Sequence, residues 1–216
     1  MVNGVLYVVG ETDGMLYALH ARDGSLLWHV QTGYPSVSLP QVVNGSVYVV
    51  GSDPTAPSGS VSALRADDGS LLWRRRMTRV ALSSPLVVDG RIYVSVSDGS
   101  VDALRSRDGS VLWRTRTRSA GLSAPLVENG VVYSAEVLDG SVYALKVSDG
   151  SLLWQAQTGA IGAVVSSPLV IKSMAYVVNS EDGTVYALRA SDGAVRWRYS
   201  LGQPDPGVVL PMVMGS

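Results

Sequence analysis

The side chains in this chain that could do chemistry recur at fixed places in a repeating pattern. Aspartate often stands directly before glycine, but these pairs lack the alternating oxygen ligands and the final glutamate of a calcium-binding loop. Asp-Gly and Asn-Gly instead supply the positive φ that tight hairpin turns require. We therefore interpret these aspartates as turn residues and predict no metal site.

Histidine and cysteine add little further chemistry. Cysteine is absent, which excludes disulfides, thiolate metal sites and cysteine nucleophiles. The only histidines are His20 and His29, and a metal pair is one hypothesis for them. Because other repeats carry arginine or lysine where His20 stands, we predict a solvated strand residue there. The serines recur at positions of the repeat and do not stand near either histidine, so we expect no Ser-His-Asp catalytic triad.

Positive charge is concentrated in the middle of the chain, although the net charge is only −1. Residues 65–118 contain eleven arginines and six aspartates. The alternation of Arg114, Arg116 and Arg118 predicts one charged side of an outer strand, where charge deters edge-to-edge pairing. The alternative is a patch for an anionic partner, extended by residues 74–76 and Arg79.

Two classes of partner are not expected. Stacking aromatics are not interleaved with the arginines, which disfavours nucleic acid as a partner. No apolar run approaches the roughly 20 residues that a membrane helix needs, and the N-terminus shows no signal-peptide pattern. We therefore expect neither a nucleic-acid partner nor a membrane partner.

The elements that position these residues repeat with the five tryptophans. Each tryptophan lies four residues after the glycine of an Asp-Gly pair, and successive tryptophans are 45, 40, 41 and 43 residues apart. The pairs are Gly24 and Trp28, Gly69 and Trp73, Gly109 and Trp113, Gly150 and Trp154, and Gly193 and Trp197. Self-similarity at this period indicates an array of one structural unit.

Each repeat reads as four short strands, here named A to D in chain order, joined by tight turns. A four-stranded antiparallel meander cannot bury both faces alone, so the units must stack, and radial stacking gives a β-propeller. Strand C carries a small residue at one place in every repeat, which predicts a tight spot packed by the tryptophan of strand D. These residues are Ala18, Ala63, Ala103, Ala144 and Ala187.

We predict one all-β domain over residues 1–216, a five-bladed propeller. The predicted blades are 5–31 with 207–214, 36–77, 82–117, 122–157 and 163–200. Residues 207–214 repeat the strand A pattern that the first blade lacks, so we predict that this C-terminal strand joins the N-terminal blade and closes the ring. A closed ring predicts a monomer.

The repeat resembles the tryptophan-docking repeat of the pyrroloquinoline-quinone (PQQ) dehydrogenase type, Ala-x-Asp-x-x-Thr-Gly-x-x-x-Trp. The alanine, glycine and tryptophan of all five repeats match its spacing, whereas aspartate replaces the threonine. The motif's aspartate position holds His20, Arg65, Arg105, Lys146 and Arg189. The resemblance implies that each tryptophan packs between neighbouring blades. Such rings usually have seven or eight blades, so a fragment or an engineered, shortened array are alternatives.

The resemblance also raises an enzymatic reading. A PQQ-dependent dehydrogenase would need an aromatic floor for the quinone, oxygen ligands for Ca²⁺ and a carboxylate base. The docking pattern uses all five tryptophans, and the vicinal disulfide of the alcohol dehydrogenases is impossible here. We expect a non-enzymatic interaction scaffold without a cofactor. A degenerate quinoprotein dehydrogenase and a partnerless duplicated array are the alternatives.

The variable connections, B–C and D–A, are expected on one face of the propeller, where a rigid scaffold usually binds its ligands. The longest is the B–C connection over residues 51–60. This face is predicted to bind a protein or a small polar ligand. The candidate residues are Tyr34, Asp53, Arg79, Arg118, Gln203 and Asp205. Serines at the starts of strands A are expected to line the pore.

Overall fold

The computed structural model describes residues 4–10, 13–53, 55, 58–79, 83–117, 123–136, 139–159 and 166–202. Over these ranges the protein is all-β, with twenty strands in five antiparallel sheets, one for each repeat. Nothing in the described ranges is a helix of the length and apolarity that crossing a membrane requires. The chain divides into two compact units, Met1–Pro125 and Leu126–Ser216.

The first unit contains three sheets. The first sheet consists of β1 (Val5–Val9), β2 (Met15–His20) and β3 (Leu26–Gln31). The second consists of β4 (Ser36–Val37), β5 (Gln41–Val43), β6 (Ser46–Asp53), β7 (Ser58–Arg65) and β8 (Leu71–Met77). The third consists of β9 (Leu86–Val88), β10 (Arg91–Val96), β11 (Ser100–Arg105) and β12 (Val111–Arg116). Strands β4 and β5 both pair with β6, and the other strands pair in chain order.

The second unit contains the fourth and fifth sheets. The fourth consists of β13 (Leu126–Glu128), β14 (Val131–Ala135), β15 (Ser141–Lys146) and β16 (Leu152–Gln157). The fifth consists of β17 (Leu169–Ile171), β18 (Met174–Asn179), β19 (Thr184–Arg189) and β20 (Val195–Ser200). Both sheets are simple meanders, as the repeat predicts.

Two kinds of turn connect the strands. In three of the turns between strands A and B both central residues have positive φ, as at Asn44 (48°) and Gly45 (72°), which is the geometry of the hairpin turns that Asn-Gly favours. In the turns between strands C and D, only the glycine has positive φ. At the first such turn the carboxylate of Asp23 accepts a 3.0 Å hydrogen bond from the backbone N–H of Ser25. The aspartate therefore caps this turn instead of adopting positive φ itself.

The hydrophobic core lies between stacked sheets within each unit. In the first unit Leu16, Ala18 and Trp28 pack with Val47, Val49 and Leu64 of the second sheet. In the second unit, the fourth sheet packs in the same way against the fifth. Five antiparallel sheets, stacked within each unit, are consistent with a five-bladed propeller. The predicted closing strand, 207–214, lies outside the described residues, so ring closure stays a prediction.

Candidate functional site

The tryptophans join one repeat to the next through a recurring hydrogen bond. Trp28 Nε1 donates to the carbonyl oxygen of Ala66 at 2.9 Å, 38 residues further along the chain. Trp73 donates to Ser106 and Trp154 to Ala190, each also at 2.9 Å. Each acceptor lies three residues before the glycine of its repeat. We call this arrangement, an indole on the acceptor carbonyl and glycine of the next repeat, the docking joint.

Glycine at the joint allows close approach of the indole. A Cβ added to Gly69 would lie 2.7 Å from the Trp28 ring, and one added to Gly109 would lie 2.6 Å from Trp73. Gly193 stands in the same relation to Trp154, at 2.5 Å. A larger residue cannot occupy these positions without displacing the ring.

The alanines of strand C lie opposite the tryptophans on the neighbouring strand of the same sheet, as in the pairing of Ala18 with Trp28. All five are fully buried: Ala18, Ala63, Ala103, Ala144 and Ala187. Trp113 is also buried and packs against Tyr93 with ring centroids 5.8 Å apart. Trp197, in contrast, is 47% exposed.

On the predicted binding face, Tyr34 connects two loops rather than standing free. Its hydroxyl donates to the carbonyl oxygen of Gly59 at 3.0 Å, and a Cβ at Gly51 would lie 2.9 Å from its ring. Gly51 is in β6 and Gly59 is in β7, so Tyr34 fixes the connection after β3 against the longest hairpin of the first unit.

The other candidates on this face differ in their surroundings. The carboxylate of Asp53 accepts hydrogen bonds from the backbone N–H and the hydroxyl of Thr55, at 2.9 and 2.7 Å, so it shapes the hairpin tip. Arg79 is exposed just beyond β8. Arg118, Gln203 and Asp205 lie outside the described residues.

The serines at the starts of strands A have a defined structural use. Ser38 Oγ accepts a hydrogen bond from the backbone N–H of Val50 at 3.0 Å. Ser83 accepts from Ser95, and Ser166 from Val178, each at 3.1 Å. The hydroxyl thus satisfies one backbone donor at the same place in three repeats.

The arginines of β12 are paired with aspartates of the same sheet. Arg114 donates from Nε and Nη2 to the two oxygens of Asp102, at 2.7 Å each, and the Asp102 side chain is only 2% exposed. Arg116 Nη2 lies 3.3 Å from Asp98. The hydrogen bond to Asp102 raises the pKa of Arg114. Burial opposes ionisation of Asp98, but hydrogen bonds from Ser100 and the charge of Arg114 leave its pKa lowered.

The arginines of β8 have no such counterions. Arg74 Nε donates to the hydroxyl of Ser62 at 3.1 Å, a neutral partner. Across the described residues, no carboxylate lies within 4.0 Å of Arg75, Arg76 or Arg79, and all three side chains are exposed. The alternative hypothesis of an anionic-partner patch joined the arginines of β8 and β12 in one charged sector, whereas the structure separates a neutralised strand from one that carries uncompensated charge.

Sequence reasoning did not single out Asp102 and Glu136, the two carboxylates that are fully buried among the described residues. The signal for Asp102 was available in principle, since it stands opposite Arg114 where the second repeat has Ser62 opposite Arg74. Using that signal requires the strand register, which the repeat pattern alone does not supply.

Among the described residues, several carboxylates and His29 are engaged in contacts within their own sheets. Within the described ranges, no group of three or more histidine, cysteine, aspartate or glutamate side chains is placed to hold a metal ion. Both oxygens of Asp102 are occupied by Arg114, and His29 stacks on Tyr17 at a centroid distance of 6.0 Å.

Repeated antiparallel sheets joined by docking tryptophans define an all-β protein of PQQ-like β-propeller repeats. The family model described as outer membrane protein assembly factor BamB matches residues 1–56 and 57–210. The chain therefore belongs to that family. A comparison with curated proteins finds no match.

Three solved structures show the same fold at low sequence identity. The computationally designed Ika8 protein superposes with a TM-score of 0.79 at 15% identity, over 95% of this chain and 61% of Ika8. BamB from Moraxella catarrhalis superposes with a TM-score of 0.56 at 19% identity, over 92% of this chain and 71% of BamB. A quinohemoprotein alcohol dehydrogenase, ADHIIG from Pseudomonas putida HK5, superposes with a TM-score of 0.70 at 18% identity. The match covers 93% of this chain and 41% of the dehydrogenase.

The chain therefore spans 61% of the designed protein and 41% of the dehydrogenase. Because the neighbours include both an assembly factor and a dehydrogenase, the fold alone is compatible with a scaffold and with an enzyme.

Proposed function

We propose that this protein is a non-enzymatic scaffold that binds an acidic segment of another protein at β8. The observation that carries this proposal is the uncompensated charge of Arg75, Arg76 and Arg79. These arginines project from a strand and the bend that follows it, with no carboxylate within 4.0 Å in the described part of the chain. Consecutive strand residues point to opposite faces, so Arg75 and Arg76 flank the edge of β8 on its two sides, and an anionic partner lying along that edge would be attracted by both.

The position of β8 suits an extended partner. It is the last strand in the sheet order β4-β6-β7-β8, so one edge of its backbone has no pairing strand in that sheet. An extended peptide can add to such an edge through main-chain hydrogen bonds while its acidic side chains meet the arginines.

The loops beside this edge are held in place by specific contacts. Arg76 pairs in register with Ser60 of β7, next to Gly59, whose carbonyl accepts the Tyr34 hydroxyl. The charged end of β8 is thereby adjacent to a braced hairpin rather than a loose loop. A preorganised surface of this kind loses little conformational entropy when a partner binds. A protein partner is also in keeping with the name of the family, outer membrane protein assembly factor.

The test uses a fluorescent glutamate-rich peptide as the probe, titrated at low and high salt and followed by anisotropy. We expect binding that weakens as salt rises, because the contacting charges are exposed. A triple variant with Arg75→Gln, Arg76→Gln and Arg79→Gln should bind about tenfold more weakly, since three exposed pairings contribute roughly 0.5 kcal/mol each.

A matched triple variant controls for net charge. Arg107→Gln, Lys146→Gln and Lys172→Gln remove three exposed cations elsewhere and change the net charge equally. The proposal requires this control to bind like the wild type at equal salt. Equal weakening in both triple variants, or no weakening in the β8 triple variant, contradicts a specific site at β8.

A further inference from the structure

The third sheet holds two arginines of one strand face against carboxylates of its own. Arg114 and Arg116 lie two residues apart in β12, so their side chains leave the same face of the strand. Arg114 donates to both oxygens of Asp102, which stands directly opposite it in β11. Arg116 donates to Asp98 at 3.3 Å. This face therefore carries two cations together with their two counterions.

The second sheet has the same two arginines and neither carboxylate. Arg74 and Arg76 occupy the corresponding positions of β8. Opposite Arg74 stands Ser62 in place of the first aspartate, and Ser58, four residues earlier, stands where the third sheet has the second one. Across the described residues, no carboxylate lies within 4.0 Å of either arginine. The β8 face therefore carries two cations whose counterions its own sheet does not supply.

The guanidinium of Arg74 is held in position by neutral groups. Its Nε donates to the hydroxyl of Ser62 at 3.1 Å. A Cβ added to Gly33, in the connection after β3, would lie 3.3 Å from its Nη1. The side chain is nevertheless exposed. Because a hydroxyl engages only one of its donors, Arg74 keeps N–H groups for a second partner, and a carboxylate matches the planar fork of a guanidinium best.

The backbone of β8 limits where such a partner can pair. The register of β8 with β7 shifts between Ala63 and Leu64, so that Leu72 is an extra residue without a paired residue in β7. A bulge of this kind interrupts an edge that a further strand could join. The regular edge therefore runs over Trp73–Met77, with the sequence Trp-Arg-Arg-Arg-Met. A segment that pairs with this edge lies directly along the arginines.

We propose that Arg74 and Arg76 bind two carboxylates at alternate positions of the partner segment, an inference that rests on the proposed function. In a strand that pairs antiparallel with β8, the residues directly opposite these arginines are two apart and lie on the same face. An aspartate or glutamate at each position faces its arginine as Asp102 faces Arg114, from the outer side of the strand instead of the inner one. The partner thereby supplies the counterions that the third sheet contains and the second sheet lacks.

The test builds the counterion of the third sheet into the second sheet. Ser62→Asp copies Asp102 and should engage the guanidinium of Arg74 from within the sheet. A fluorescent peptide with two glutamates separated by one residue should then bind about threefold more weakly, as measured by anisotropy. Arg74→Gln should weaken binding by a similar factor without placing a new charge in the sheet. The double variant should bind no more weakly than either single variant, because both changes remove the same cation.

A second peptide of the same composition tests the spacing of the carboxylates. Its two glutamates are adjacent, so they point to opposite faces and can pair with Arg75 and Arg76 without Arg74. The peptide with spaced glutamates has only the register that uses both Arg74 and Arg76. We therefore expect Ser62→Asp to weaken the spaced peptide more than the adjacent one.

Two control variants separate the ion pair from other effects. Asn44→Asp changes the net charge by the same amount and copies Asp89, its counterpart in the third sheet, which has the same φ of 48°. Ser62→Asn enlarges the side chain without adding charge. Both controls should bind the spaced peptide like the wild type, and circular dichroism verifies the fold of each variant.

Failure of this inference can be distinguished from failure of the proposed function. If the triple variant of Arg75, Arg76 and Arg79 loses affinity but Ser62→Asp and Arg74→Gln bind like the wild type, the acidic segment binds at β8 without Arg74, and the inference is overturned. Equal weakening in Ser62→Asp and Asn44→Asp, or equal weakening of the two peptides by Ser62→Asp, also overturns it. A wild type that binds neither peptide overturns the proposed function and this inference together.

Discussion

Arg114 donates two 2.7 Å hydrogen bonds to the carboxylate of Asp102, and that carboxylate is almost completely buried. In the neighbouring sheet, the same cross-strand position pairs Arg74 with the hydroxyl of Ser62 at 3.1 Å. One fold therefore supports an ionic and a neutral version of a single contact. The ionic version makes Asp102 dependent on its arginine, because a buried carboxylate without a counterion is costly.

This dependence predicts unequal effects of removing the two partners. Arg114→Met leaves the buried carboxylate unpaired and should lower the free energy of unfolding by about 2 kcal/mol, less than a fully buried pair because Arg114 is partly exposed. Asp102→Ser copies the Ser62 arrangement and should cost under about 1 kcal/mol. Urea denaturation measures both. Equal losses in the two variants would contradict the argument.

The docking joint predicts that one indole nitrogen contributes measurably to stability. Trp28→Phe keeps most of the ring but removes the N–H that donates to Ala66, and should lower the free energy of unfolding by about 1 to 2 kcal/mol. Trp197→Phe is the control, because Trp197 makes no such bond within the described residues. In dilute solution it should change stability by less than about 0.5 kcal/mol. Equal changes in the free energy of unfolding of the two variants would contradict this prediction.

Glycine at the joint is predicted to be required for space as well as for backbone conformation. Gly69 and Gly45 both have φ of 72°, so alanine at either position carries the same backbone strain. Only at Gly69 would the new Cβ meet the Trp28 ring, at 2.7 Å. We expect Gly69→Ala to lose roughly 2 kcal/mol more than Gly45→Ala, the usual cost of overpacking. Similar unfolding midpoints for the two variants would show that the ring moves aside freely.

The strands and hairpins could be predicted from sequence because their determinants are local. Asn-Gly and Asp-Gly encode positive φ directly, as at Asn44 and Asp89, and the spacing of the tryptophans reveals the repeat. Family membership follows from the same spacing. The role of the aspartate in the turns before strand D was predicted less accurately. Asp23 acts as a hydrogen-bond acceptor, and only the glycine after it has positive φ.

The contacts of the candidate site could not be predicted because they join residues distant in sequence. The hydrogen bond from Tyr34 to Gly59 depends on how two connections meet, 25 residues apart. The separation of neutralised arginines in β12 from free ones in β8 depends on strand register, which places Asp102 opposite Arg114 but Ser62 opposite Arg74. A repeat pattern aligns such positions without showing which side chains touch.

The capped turns before strands D predict how stability depends on pH. The hydroxyl and backbone N–H of Ser110 donate to the carboxylate of Asp108 at 2.6 and 2.9 Å, and they lower its pKa from 3.8 to about 2. Serine hydrogen bonds lower the pKa of Asp23, Asp68 and Asp149 in the same way. A carboxyl group with a lower pKa in the folded state stabilises the fold above its unfolded pKa. That contribution is lost as pH falls through the folded pKa.

We therefore expect the melting temperature to be insensitive to these groups above about pH 5 and to fall progressively between about pH 4 and pH 2. Asp108→Asn should reduce the slope of that fall, because the amide does not titrate, and Ser110→Ala should reduce it by removing one donor. Asp67→Asn is the control, since Asp67 lies beside a turn but accepts no hydrogen bond within the described residues. Thermal melts monitored by circular dichroism from pH 7 to pH 2 measure all four proteins. A slope that changes as much in Asp67→Asn as in Asp108→Asn would show that general charge, rather than the serine-capped turn, governs acid stability.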